Sequence, residues 1–130
     1  MGGQLMFEVG AEYTVEIMQS HLDWGRHRYT NTRDRIPGEG YVKIPRDIAV
    51  KYNIRLGNCY TASFSDGFPA FHIRAAGNTR AGDPYAKQFQ GDGDLKAFGR
   101  WYEYVGAEVG DEVRVTFINN NTIRFELIKR

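Results

Sequence analysis

Between positions 26 and 35 the chain sets Arg26, Arg28, Arg33 and Arg35 among His27, Tyr29, Thr30, Asn31, Thr32 and Asp34. These side-chain types read and grip nucleic acid. A guanidinium fork matches guanine O6/N7 or a phosphate, and Asn31 carries the donor and acceptor that suit adenine. His27 and Tyr29 can donate to phosphate, while Thr30 and Thr32 can bond phosphate or base. Asp34, with Asp23 upstream, can accept from cytosine N4 or orient the arginines. A second stretch, residues 75–95, carries Asn78, Arg80, Asp83, Tyr85, Lys87, Gln88 and Gln90. Gln suits adenine and Lys suits guanine. Arg46 and Arg74 stand beside these stretches, where phosphate contact and ordinary surface ion pairing are both open. The competing reading of both stretches is a solvated polar loop.

Catalytic patterns fare worse. Asp94-x-Lys96 echoes the end of a restriction-nuclease metal site, but holding Mg²⁺ needs another carboxylate alongside. Asp83 is the candidate, yet it comes from the same stretch, and a short D-x-K is common by chance. Asp92, Asp94 and Glu103 match three EF-hand positions, but Lys96 and Ala97 fall where a ligand and the turn glycine belong. "GDGDLKAFG" is not a dinucleotide fingerprint, and the chain has no P-loop motif. His21, His27 and His72 lack metal-ligand spacing. The chain is therefore read as a non-enzyme without a cofactor.

The elements that must position these residues are mostly strands. YTVEIM (13–18) alternates, GYVKI (40–44) is β-prone, and CYTASFS (59–65) and FPAFHIR (68–74) flank a "DG" turn signal. EVRVTFI and TIRFELI alternate around the Asn119–Asn121 run, which can accept positive φ. Pro45 can open a helix over RDIAVKYN, with Gly57 turning the chain afterwards. KAFGRWYEYVG spaces Phe98, Trp101 and Tyr102 as a short helix would. The sum is six or seven strands and two short helices, the pattern of a barrel-like β fold. Phe64, Phe71, Phe98, Trp101, Phe117 and Phe125 are assigned to the core; Tyr102 and Tyr104 are left open. Two stretches, 19–39 and 75–95, are too long and too well furnished for plain connections.

The bulk composition agrees. The chain has 130 residues, 42% hydrophobic and 14% aromatic, which suits one folded domain. A formal net charge of +1 leaves charge distribution, not total charge, as the guide to partners. The single cysteine, Cys59, excludes an intrachain disulfide and a Cys-rich metal site, and its apolar run suggests a buried thiol. The sequence has no apolar stretch approaching a membrane span, and MGGQLMFEVG is too short and polar for a signal peptide. The expected location is the cytoplasm.

"YVKIPRDIAVKYNIRLGNCYTASF", followed by "FGRWYEYVGAEVGDEVRVTFINNNTIRFELI", resembles the B3-type DNA-binding pseudobarrel of plant transcription factors and of some restriction-endonuclease effector domains. The resemblance rests on the Ile44-Pro45 strand end, the helix after it, "LGNCY", the helix with Trp101, "VGDEVRV" and the last strand, and it spans roughly residues 13–128. It implies a mainly β, seven-stranded open barrel with two short helices. It also implies sequence-specific binding in the major groove of double-stranded DNA through two loop arms. Those arms fall on residues 19–39 and 75–95, after an N-terminal extension over 1–12 in a single domain of 1–130. The expected DNA-binding set is Arg26, His27, Arg28, Tyr29, Asn31, Arg33, Asp34, Arg35, Arg46, Arg74, Asn78, Arg80, Tyr85, Lys87, Gln88 and Gln90. The chain would then be the recognition domain of a restriction-modification enzyme, partnered by a nuclease domain or subunit, or a related bacterial DNA-binding protein. The alternatives are a small β-barrel that binds a ligand or protein, and a regulator of the AbrB/MazE type, whose swapped hairpin "YVKIPRDIAVKYNIRLGN" also resembles.

Overall fold

The structure, a computed structural model, describes residues 10–18, 21, 39–77 and 82–130. Seven strands form one sheet: β1 (Glu12–Glu16), β2 (Val42–Lys43), β3 (Cys59–Phe64), β4 (Phe71–Ala76), β5 (Gln88–Gly91), β6 (Glu112–Phe117) and β7 (Thr122–Ile128). Helix α1 (Arg46–Lys51) links β2 to β3, and α2 (Ala97–Val105) links β5 to β6. The strand order is β1-β6-β7-β3-β4-β5-β2. Every pairing is antiparallel except β3 with β7. The sheet curls into a nearly closed barrel whose unsealed seam lies between its edge strands, β1 and β2. Among the described residues, a side-chain bond crosses that seam: the Tyr13 hydroxyl donates to the Lys43 carbonyl at 2.9 Å.

Alternation builds the interior. Val113, Val115 and Phe117 of β6 and Ile123 and Phe125 of β7 point inward and are fully buried. Tyr60 and Ala62, Ile73 and Ala75, and Phe89 supply the same face from β3, β4 and β5. Helix α2 plugs this interior with Ala97, Phe98, Trp101 and Tyr102, one buried stripe. Its rings pack edge-on and tilted against the sheet: Phe64–Trp101 at 4.9 Å, Phe98–Phe125 at 5.0 Å, Phe71–Phe98 at 5.2 Å. Burying each such ring stabilises the fold by about 1.5–3 kcal/mol. The helix stops at Gly106, whose φ of +67° is the left-handed cap that glycine adopts without strain. The indole N–H of Trp101 donates to Asp66 Oδ2 at 2.9 Å, which ties α2 to the β3–β4 turn.

Several expectations shift. The strand expected at 68–74 runs instead over Phe71–Ala76, because residues 65–70 are spent on a wider turn in which Asp66 Oδ1 accepts from the Phe68 N–H at 2.9 Å. Strands expected at 13–18 and 40–44 shorten to Glu12–Glu16 and Val42–Lys43. The stretch 75–95, expected as one loop, contains β5, which pairs with β4 on one side and β2 on the other. Cys59 is exposed, not buried: Tyr60 and Ala62 face the core, so the strand's period turns Cys59 outward. Among the described residues the non-glycine with positive φ is Asn53, at +54°, rather than any of Asn119–Asn121. The expected N-terminal extension ends in the barrel, since the Gly10 N–H donates to the Phe117 carbonyl at 2.7 Å.

Candidate nucleic-acid interface

The outward face of β4, β5 and β2 carries a polar surface in register. Cys59 lies opposite Arg74, and Arg74 opposite Gln90. In the next row Ala76 and Lys43 both lie opposite Gln88. Directly paired antiparallel residues share a face, so these are neighbours while the row between them, Ala75, Phe89 and Val42, is fully buried on the other side. Gln88 Nε2 donates to Gln90 Oε1 at 2.9 Å, which holds one amide against the next. Gln88 is only 8% exposed, and Gln90 is half-buried. The Arg74 side chain is 52% exposed and meets Asp92 Oδ1 only at 3.9 Å. An exposed pair at that distance is worth little, so the guanidinium can be redirected at small cost.

Strand β2 is only two residues long, and a loop root sits at each of its ends. At its start, the Tyr41 N–H donates to the His21 carbonyl at 3.2 Å, and the Gly40 N–H to the Leu95 carbonyl at 3.2 Å. His21 is buried and closes the clasp. Its Nδ1 accepts from the Met18 N–H at 3.1 Å, and its ring stands edge-on to Tyr41 at 5.0 Å. Burial first, then the Lys43 charge, lowers the imidazole pKa to about 4. It is therefore neutral near pH 7, as its acceptor role requires. The Tyr102 hydroxyl, pushed well above the usual phenol range by burial and then by Tyr41, donates to the Tyr41 carbonyl at 2.7 Å.

At the other end of β2 the Ile44 N–H donates to the Lys87 carbonyl at 2.9 Å. Here the second loop is fastened to the α1–β3 connection. Leu56 N–H donates to the Pro84 carbonyl at 2.9 Å, and Ala86 N–H to the Ile54 carbonyl at 3.0 Å. Asp83 works as a latch: Oδ1 accepts from the Tyr85 N–H at 3.0 Å and Oδ2 from Arg46 Nη1 at 2.6 Å. The Tyr85 backbone bond, followed by the Arg46 bond and charge, keeps that carboxyl below the usual range. The Arg46 and Arg55 guanidinium carbons lie 5.7 and 6.0 Å from the Tyr85 ring centre. On the other leg Gly77 has φ of +120°, and a Cβ there would come within 2.8 Å of Lys87 Cβ.

A search of solved structures aligns 90% of this chain with 95% of the chain in an Arabidopsis FUS3–DNA complex, at a TM-score of 0.51 and 16% identity. The fold is a B3-like pseudobarrel. No protein-family model matches the sequence, and no curated protein matches it significantly.

Six of the residues expected to bind DNA lie among the described residues of the B3-like barrel. Arg74, Gln88 and Gln90 stand on its outer face between the two loop roots; Arg46, Tyr85 and Lys87 form the root of the second loop. The candidates from Arg26 to Arg35, with Asn78 and Arg80, lie outside the described residues. Sequence reasoning missed Lys43, which the register sets beside Gln88, and Arg55, which stacks on Tyr85. The nuclease-like residues have structural roles. Asp94 accepts from the Lys96 N–H at 3.1 Å and pairs with Arg100, whose bond holds its carboxyl below the usual range. Among the described residues no three His, Cys, Asp or Glu side chains gather as a metal site. No described helix is long and apolar enough to cross a membrane.

Proposed function

We propose that this chain binds double-stranded DNA sequence-specifically in the major groove. The outer face of β4, β5 and β2 lies over the base edges, and the loops rooted at His21–Tyr41 and at Gly77/Lys87 flank it. The observation that carries the reading is the exposed Arg74 directly opposite the half-buried Gln90, the guanine- and adenine-reading side chains, on the outward sheet face with a loop root at each end of β2. The fold likeness to a protein solved in complex with DNA supports it. By the sequence resemblance, the chain serves as the recognition unit of a restriction-modification enzyme or a related bacterial DNA-binding protein. The AbrB/MazE alternative is less well supported, since β2 and β3 here pair with β5, β4 and β7 of their own chain.

Selection of bound sequences from a randomised duplex library tests the reading, run at ~100–150 mM salt to suppress purely electrostatic binding. Wild type should enrich a short motif. Arg28→Ala and Arg33→Ala in the first loop, and Arg74→Ala and Gln90→Ala on the sheet, should each relax it at single positions. Absence of enrichment, with only weak binding by all five proteins, would turn the reading toward a ligand or protein partner.

A further inference from the structure

Beside the second loop root lies a cleft of about 370 Å³, lined by Lys43, Ile44, Pro45, Arg46, Ala86 and Lys87. Three of its six residues are cationic, and all three are exposed. Arg46 is committed to the Asp83 latch at 2.6 Å. Lys43 and Lys87 have no ion-pair partner among the described residues. They approach from different strands' ends, held together because the Ile44 N–H donates to the Lys87 carbonyl at 2.9 Å. The residues lining the cleft thus include two exposed lysines and an arginine paired with Asp83, whose carboxylate the Lys87 charge also reaches. Three cationic side chains against the one Asp83 carboxylate leave the cleft net positive, which favours an anion there.

We infer that this cleft holds one phosphate of the DNA backbone. The inference rests on the DNA reading and adds to it a positioning contact that fixes the duplex against the second loop. Lys43 and Lys87 supply point charges and three rotatable donors each; Arg46 adds a fork whose orientation Asp83 and Tyr85 set. The contact carries no sequence information, because every nucleotide has the same phosphate. Arg46 is the poorer variant to test, since removing it also frees the Asp83 latch.

The experiment compares wild type with Lys43→Gln and Lys87→Gln, both exposed positions, in duplex-binding titrations across a range of salt. Each substitution should weaken binding to all duplexes by a similar factor. Each should flatten the slope of log affinity against log salt by up to about 0.9, the value for one phosphate, and leave the selected motif unchanged. Wild-type slopes in both variants, with duplex still bound, would overturn the cleft and leave the DNA reading standing. A selected motif altered at one base position would also overturn it, in favour of base contact. If wild type binds no duplex, the DNA reading fails, and titration with inorganic phosphate against chloride decides the cleft separately. Saturating amide shifts at Ile44 and Lys87 with phosphate alone would keep it as a phosphate site of another source; no shifts would overturn it.

Discussion

Tyr13 and Lys43 close the barrel: the phenol of one edge strand donates to the main-chain carbonyl of the other at 2.9 Å, thirty residues apart in sequence. Tyr13 is buried against the core, and the bond itself is partly buried. It holds β2, and β2 carries both loop roots. Together with the β2–β5 pairing, this seam bond fixes the frame on which the candidate interface is built.

Tyr13→Phe keeps the ring and removes the donor. It should lower stability by about 1 kcal/mol. Amide exchange at Val42 and Ile44 should quicken more than at β6 or β7. Equal quickening throughout the sheet would mean that the bond does not act locally on the seam. Denaturant titration with exchange measured by NMR gives both quantities.

Gly91 ends β5 where the chain turns toward α2. A Cβ there would fall 2.0 Å from the Asp94 carbonyl oxygen and 2.8 Å from Ala97 Cβ. Both are fixed groups, so Gly91→Ala should cost about 2 kcal/mol or more through forced displacement. Gly57→Ala supplies the contrast, since nothing lies near its added Cβ and only the positive φ of +89° is strained. It should cost about 1 kcal/mol, the left-handed penalty. Thermal melting of the two variants checks the order.

Asp66 serves two donors, the Trp101 indole and the Phe68 amide, each at 2.9 Å. Asp66→Ala leaves a buried indole N–H without this partner and loosens the turn. The expected loss is about 2–3 kcal/mol, against about 1 kcal/mol for Asp66→Asn, which keeps an acceptor. Similar losses in the two would show that charge, not hydrogen bonding, matters there.

Acid should act at two places in sequence. The folded pKa of His21 is depressed to about 4 from about 6.5, so the unfolded chain binds more protons between those values. Its contribution is fully present above pH 6.5 and is lost as pH falls toward 4, at no more than ~1.4 kcal/mol per unit. Asp111 is buried beneath Lys129, which with the Arg130 amide holds its carboxyl at about 2. Its contribution is present above about pH 4 and is lost as pH falls through 2. Urea midpoints measured from pH 8 to pH 2 should therefore fall in two stages. His21→Gln should abolish the upper stage and Asp111→Asn the lower; a single stage lost in both variants would contradict the assignment.

Much of this was legible in the chain itself. Alternating burial is a local property, so β6 and β7 could be read from EVRVTF and TIRFELI, and α2 from the spacing of Phe98, Trp101 and Tyr102. The order of these segments also matched a known barrel. Phase and partnership were not legible. QFQG offers one apolar residue, too few to show alternation, and β5 exists because β4 and β2 hold it on both sides. Cys59 sits in an apolar run, yet strand phase, set by pairing with β4 and β7, turns it to solvent. Arg74 and Gln90 were candidates one by one; register made them neighbours. Lys43 looked like an ordinary strand residue until the Ile44–Lys87 bond brought Lys87 to the same cleft. Periodicity records which side of its own element a residue faces. Which residues meet across elements depends on pairings between distant segments, and those are decided by the energy of the whole barrel.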